Sequence, residues 1–478
     1  MYEQDGSRSA EWLQTLELSR TALRECEFAF FLERLDPRDH WRLLATQWNR
    51  ALFLDIETTG LARDFHYTTV IGAMFEGTFY QWVWPEPLDE FFQLVSQALL
   101  VVSFNGRRFD VPFLKRQFST FETPRAHVDL LDTARAIGYS GGQKEVEVTL
   151  KLDRDQAVRG VSGEEAVQLW SKALYGDEAS FQQLLRYNRA DVEMLPRIAE
   201  ALCRELCTKT LSTTLALQAP ICTTTAVRSS SSFTKVRNAW QSRRAGLHKL
   251  LPAIKTSLGN NPVVVGIDLR GNPRNPTGWA LCVDDSVETR ILYDDDSILK
   301  QTLAVRPGII SIDAPLFLPR GRQSVSDDSP CRATGGIVRE VERVLWARGI
   351  PVYPALIKHM QGLTKRGMEM AKVLRDQGLT VIESYPGAAQ DILGIARKGK
   401  DPTLLERGLE DFGFRLEKGK SHDELDAVTS ALVAYFYLAE DYEAIGAEDE
   451  GFMIIPRIPA SMRWTGMPTH EALDRVNQ

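Results

Sequence analysis

"FLDIETTGL", Phe53 to Leu61, begins as a buried strand and then sets two carboxylates, Asp55 and Glu57, one residue apart before a Thr-Thr-Gly turn. Residues i and i+2 of a strand face the same way, so Asp55 and Glu57 project together while Ile56 points into the core. Adjacent carboxylates repel, and one is driven to protonate unless positive charge lies between them. A hard divalent cation, Mg2+ or Mn2+, resolves this, because such ions prefer oxygen ligands. Asp110 follows in "SFNGRRFDVPFL", just past an expected strand end and at the start of a helix. Asp191 lies in "YNRADVEML" with Tyr187 four residues earlier, a spacing that puts hydroxyl and carboxylate on one helix face. Such a set of carboxylates can hold two metal ions about 4 Å apart, and the tyrosine can orient an attacking water.

Outward from this motif, the first fifty residues show helical periodicity (Trp12, Leu13, Leu16 and Leu18, then Phe28 to Leu32, then "HWRLLATQW") and are expected to pack on the first domain as helices. After the strand ending at Asp55, "TVIGAMFEGTFYQWVW" reads as a hairpin turning at Glu76-Gly77. A helix from about Leu88 to Ala98 and the strand "LLVVSF" follow. The second half repeats this order: strand "PVVVGIDL", strand "WALCVD", strand "TRILYD", a helix near Ser297 to Ala304, and strand "GIISIDAP". The repeat is one of element order without residue similarity, and it predicts two α/β domains with helices packed on mixed sheets. Asp268, Asp313 and Glu383 each stand at an expected strand end, and "SHDELDAVTSALVAYFYL" reads as an amphipathic helix whose first turn carries Asp423 and Asp426. These acids form a second candidate cation site by the same reasoning, although strand-end aspartates also cap turns.

At 478 residues the chain is too long for one hydrophobic core, and 44% hydrophobic with 25% charged residues describes a globular protein. No apolar run approaches bilayer length and the start "MYEQDGSRSAEW" lacks a secretory pattern, so a cytoplasmic location is expected. Cys26, Cys203, Cys207, Cys222, Cys282 and Cys331 form no metal-finger pattern and read as reduced thiols. A net charge of -7 argues against coating nucleic acid through bulk charge. Locally, Leu206 to Ile267 contains no Asp or Glu, opens with a Ser/Thr-rich linker-like stretch, and includes Arg228, Arg243 and Arg244. It reads equally as a nucleic-acid track or as a solvated basic connector. No GxxxxGK[ST] loop supports an NTPase.

The motifs around Asp55 and Glu57, Asp110, and Tyr187 with Asp191 resemble those of the DEDD exonucleases of the ribonuclease H-like superfamily, in the subgroup with tyrosine in the third motif. "GGQKEVE" and the stretch around "YNRADV" resemble a bacterial branch of predicted exonucleases, over roughly Leu52 to Ala201. Gln143 departs from the apolar residue the resemblance implies, at a position expected to lie away from the metal ligands. His127 and Asp129 stand open between an accessory and a structural role, and Asn105 between contacting substrate and capping a strand. The second half, roughly Pro262 to Leu438, resembles a family of predicted nucleases with a ribonuclease H-like fold, and its last helix resembles that of Holliday-junction resolvases of the RuvC type. Arg270, Arg339, Arg343, Lys365, Arg366, Lys398 and Lys400 lie around its acids in sequence, where they can meet phosphates.

The resulting expectation is a helical extension (1–50), a DEDD exonuclease-like domain (51–205), a basic connector (206–261), a second ribonuclease H-like domain (262–440) and a tail (441–478) whose "FMIIPRIP" packs back on a domain. The resemblance implies a 3'-5' exonuclease that uses two Mg2+ or Mn2+ ions on single-stranded DNA or RNA. Asn105, Arg107, Arg243, Arg244, Arg339 and Arg343 are its expected nucleic-acid contacts. The alternatives are an endonuclease in the second domain whose products the first trims, and a binding or scaffold protein with vestigial sites.

Overall fold

The structure is a computed structural model and describes residues 3–25, 27–211, 224–227, 231–259, 262–283, 286–326, 336–397, 399 and 402–458. Cys26, Cys222, Cys331, Arg228, Lys398, Lys400, most of the Ser/Thr-rich stretch and the end of the tail lie outside the described residues. Cys203, Cys207 and Cys282 are buried free thiols. The chain forms two compact units: 1–57, 68–161 and 182–232 make the first, and 58–67, 162–181 and 233–478 the second.

The first unit is built on strands β1 (Ala51–Thr58), β2 (Thr68–Phe75), β3 (Thr78–Val83), β4 (Leu100–Ser103), β5 (Ala126–Asp129) and β6 (Thr224–Val227), in sheet order β5-β4-β1-β2-β3-β6. β1 runs parallel to β4 with Phe53 opposite Val102, and β2 pairs antiparallel with β3. The hairpin turns at Glu76-Gly77 as expected, both at positive φ (49° and 76°), which matches the twist of the flanking strands. Alternation along β1 sorts its side chains between two cores. Leu52, Leu54 and Ile56 pack with the Asp89–Gln97 helix, while Ala51 and Phe53 pack with Leu195, Ile198 and Leu202 of the helix Glu178–Leu211. Asp55 and Glu57 follow Phe53 on the two-residue period, and so face the side covered by that long helix.

The N-terminal segment differs from its expectation. Phe28, Phe31 and Leu32 pack against the core, but Trp12, Leu13, Leu16 and Leu18 are exposed on the helix Glu3–Arg24. Their positions spread over more than one helix face, so no single apolar stripe forms. "HWRLLATQW" is broken into 3-10 and short α pieces, started by Pro37 and capped by Asp36, whose carboxylate accepts the Arg38 N–H at 2.9 Å.

The second unit carries strands β7 (Val264–Asp268), β8 (Thr277–Val283), β9 (Ser286–Leu292), β10 (Ile309–Asp313), β11 (Val381–Ser384), β12 (Tyr442–Ala447) and β13 (Gly451–Pro456), in order β12-β13-β11-β10-β7-β8-β9. Counted within each unit, strands one to five have the same order in both sheets: third, second, first, fourth, fifth. "FMIIPRIP" does pack back, as β13 beside β11. The expected connector is largely helical: Ser231–Leu247 and Leu250–Ser257 place Leu247, Leu251 and Ile254 in the core.

The helix His422–Leu438 is buried almost all round from Leu425 to Phe436, where an amphipathic helix was expected, because the sheet covers one side and residues such as Leu251 and Leu405 the other. Ser421 and Glu424 close a capping box at its start. Its approach to the sheet requires two glycines. A Cβ on Gly266 would lie 1.9 Å from the Ala427 carbonyl oxygen, and one on Gly278 1.8 Å from that of Asp423. Gly266→Ala should therefore destabilise the second unit by about 3 kcal/mol, whereas Gly308→Ala, whose Cβ would meet nothing nearer than 3.7 Å, should be near neutral. Urea unfolding followed by tryptophan fluorescence reads the difference.

Candidate functional site

Asp55 and Glu57 leave β1 toward the long helix, which brings Tyr187, Asn188 and Asp191 over them. Asp55, Glu57 and Asp191 each offer a carboxylate oxygen within 4.8 Å of the others, the one such acidic group of three or more among the described residues. Asp110 joins them as the first residue of its helix, its Oδ1 accepting the Ile56 N–H at 3.1 Å. The turn before it is held by Asp129, which accepts the N–H groups of Asn105 (2.8 Å), Arg107 (3.1 Å) and Leu131 (3.1 Å). Asn105 sits at φ 62°, and a Cβ on Gly106 would lie 2.1 Å from Ser103 Oγ, so this turn requires both residues as they are. His127 pairs with Ser103 Oγ at 2.7 Å, and burial with the nearby Arg107 guanidinium pushes its pKa down to about 3. His127 and Asp129 thus hold the scaffold of the site.

Burial raises all four acids: Asp55 and Glu57 well above the usual range, with Asp191 as the next cause, Asp110 to about 7, and Asp191 less because Lys144 and Arg154 oppose the shift. Asp191 receives Arg154 and has the Lys144 ammonium 3.9 Å away. Asp55 instead accepts from the neutral amide of Asn188 at 3.1 Å. An all-oxygen donor set, buried and short of positive charge, fits a divalent cation. Tyr187 is buried, its hydroxyl accepting from Lys144 at 2.5 Å, and burial with the neighbouring carboxylates keeps it protonated.

Sequence reasoning missed four partners: Asn188, Lys144, Glu147 and Arg154. Arg154 is clamped by Glu147 (2.6 and 2.8 Å) and in turn holds Asp191. Gln143 corrects an expectation. It lies beside the acidic group, donating to Glu147 Oε1 at 3.0 Å and to the Asp191 carbonyl at 3.1 Å, so its amide has a hydrogen-bonding role where the resemblance implies an apolar side chain. "GGQKEVE" and "YNRADV" already contained three of these residues, but their roles depend on the helix Gln143–Thr149 meeting the long helix.

In the second unit, Asp268 and Asp313 are register partners on neighbouring parallel strands. Arg270 pairs with Asp423 and lies 3.8 Å from Asp268, while Asp426 accepts from Gln390 at 2.8 Å. Glu383 is held apart from them: its oxygens accept from Arg339 at 2.8 and 2.9 Å and from the Leu316 N–H at 2.7 Å. Glu342 completes a buried Glu-Arg-Glu group. Arg339, 1% exposed, therefore does not face solvent, a correction to its expected role at phosphates. Arg243 donates to the Leu393 carbonyl and Arg244 makes two bonds to Asp411, so both serve packing of the connector helix. Arg107 bonds the His127 and Pro37 carbonyls. Arg343 is exposed beside Glu340.

Residues 52–203 match the family RNase_H_2 of the RNase_H superfamily. No curated protein matches the chain. Among solved structures, one described as the apo form of a nuclease is 19% identical over 34% of this chain and 77% of its own, with a TM-score of 0.27. RuvC of Thermus thermophilus is 14% identical over 37% of this chain and 95% of its own, at 0.21. The family B DNA polymerase of Pyrobaculum calidifontis is 14% identical over 89% of this chain and 54% of its own, at 0.22. At such TM-scores no weight rests on these likenesses. Both units are mixed sheets flanked by helices, and it is the first, over residues 52–203, that matches the RNase_H superfamily and is ribonuclease H-like in fold.

Proposed function

We propose that the chain is a metal-dependent exonuclease that shortens single strands from the 3' end at the site formed by Asp55, Glu57, Asp110, Tyr187 and Asp191, with the second unit binding nucleic acid or making a second cut. The observation that carries this reading is the convergence of the Asp55, Glu57 and Asp191 oxygens within 4.8 Å, with Asp110 bonded to the intervening Ile56 N–H. Two bound Mg2+ or Mn2+ ions would supply an activated water and charge stabilisation for the leaving oxygen. Asp55, Glu57, Asp110 and Asp191 would hold those ions. Arg154 fixes the orientation of the Asp191 carboxylate, Gln143 holds the Asp191 main-chain carbonyl, and Asn188 fixes the Asp55 carboxylate. The Tyr187 hydroxyl, kept protonated and steadied by Lys144, orients water at the scissile phosphate.

End-labelled single-stranded DNA and RNA, incubated with Mg2+ or Mn2+, should give a ladder shortening from one end. Asp55→Ala should abolish it, whereas Asp268→Ala should leave it intact. Internal cuts lost only in Asp268→Ala would instead place an endonuclease in the second unit, and no cleavage at all would favour the scaffold alternative.

Asp110 titrates near pH 7 in the folded chain, above its unfolded value, so the metal-free protein binds more protons folded than unfolded between those two values. Its contribution to stability is fully present below the unfolded pKa and is lost as the pH rises through about 7. Metal-free protein should therefore lose thermal stability across that window, and Mn2+ at about 100 times its dissociation constant should restore about 2.7 kcal/mol. Asp55→Ala should show no Mn2+ effect.

Arg154 lowers the Asp191 pKa by charge and hydrogen bond, so Arg154→Ala should raise it. Activity should fall about tenfold or more, and the acidic limb of the pH–rate profile should move to higher pH. Unchanged activity with an unshifted limb would remove Arg154 from the site.

A further inference from the structure

From Arg343 to Met368 the chain contains no Asp or Glu, yet it carries Arg343, Arg348, Lys358, Lys365 and Arg366; Arg343, Arg348, Lys365 and Arg366 have carboxylate neighbours outside the stretch in Glu340, Glu443, Glu369 and Asp295. Within this stretch Tyr353 is 63% exposed, and its ring meets His359 nearly perpendicularly (88°) with centroids 4.8 Å apart. Lys358, His359 and Lys365 are exposed as well.

The segment carrying Tyr353 is firmly anchored. Tyr353 stands between Pro351 and Pro354 near fixed points on the fold. The Pro351 carbonyl accepts from Tyr385 Oη (2.9 Å), that of Val352 from Trp346 Nε1 (3.0 Å), and that of Ala355 from Thr364 Oγ1 (2.6 Å). A large exposed aromatic on an anchored backbone is a partly preorganised contact surface, because the main chain has little conformational entropy left to lose on binding. The segment also lies beside the second acidic group. Arg366 donates to the Arg270 carbonyl, two residues past Asp268, and Pro351 lines a cavity of about 400 Å3 whose wall includes Asp313 and Asp426.

We propose that the exposed face of residues 351–365 is a docking surface for a single nucleic-acid strand. Tyr353 and His359 stack on bases, and Lys358 and Lys365 contact phosphates. Every base presents a π-face, so this surface accepts a strand irrespective of sequence; Lys365 exchanges its exposed partner Glu369, 3.9 Å away, for a phosphate, while Lys358 stands in a stretch without acids. It rests on the reading of the chain as a nuclease only in its choice of ligand, and it gives the second unit a substrate contact of its own.

The test is fluorescence anisotropy of the full chain in EDTA with labelled oligothymidylate and oligouridylate of about 16 nucleotides. Tyr353→Ala with His359→Ala should weaken binding about tenfold or more, and Tyr353→Phe should retain it. Lys358→Ala with Lys365→Ala should lower the slope of log affinity against log salt by about 0.7 per lysine. Loss with only one of the two oligonucleotides would assign the surface to DNA or to RNA. Equal affinity of the double aromatic variant and the wild type, or no binding by the wild type, would overturn the proposal. Hydrolysis of the p-nitrophenyl ester of thymidine 5'-monophosphate reads the first site separately. Ester hydrolysis with strand binding insensitive to the aromatic pair would reject this surface and keep the nuclease, and the reverse pattern would keep the surface and reject the first-site chemistry.

Discussion

Like charge confined out of water is the condition on which the first unit depends. Asp55, Glu57, Asp110 and Asp191 converge where burial raises each pKa, and the Asp191 charge raises the other three further. Such a group persists only if the rest of the fold holds it together. The long helix does so by packing Leu195, Ile198 and Leu202 against the same face of the sheet that carries Phe53. Hydrophobic burial on one stretch of that helix thus offsets repulsion on another, and the Arg154-Glu147 clamp on Asp191 limits how far the acids can separate.

The convergence of these acids is legible in the sequence because it follows local rules. The two-residue period of β1 and the four-residue spacing of Tyr187 and Asp191 need no tertiary information. Arg154, Glu147 and Gln143 were not legible, since their roles exist only once one helix meets another. The exposed Trp12 and Leu13 show the opposite failure: a local periodicity with no partner surface to receive it.

In the second half, the sequence shows where cations fall along the chain but not what each one meets. Arg243, Arg244 and Arg339 look alike in sequence to cations that greet a phosphate, yet Arg339 is buried, Arg243 donates to the Leu393 carbonyl, and the half-exposed Arg244 is paired with Asp411. Arg339 illustrates why: placed between Glu342 and Glu383, its guanidinium satisfies two buried carboxylates, so removing it would strand both. Composition registers a positive charge without registering which carboxylate it already answers. Asp268 and Asp313 do end their strands, and parallel register places them side by side.

Gly266 and Gly278 have a consequence beyond packing. Where they let the helix His422–Leu438 rest directly on the strands, main chain meets main chain, and the separation is fixed by atoms common to every residue. The distance from Asp423 and Asp426 to the strand bearing Asp268 therefore works as a gauge block. Neighbouring core side chains can be exchanged, and the fold can gain or lose stability, while the spacing of these acids stays the same.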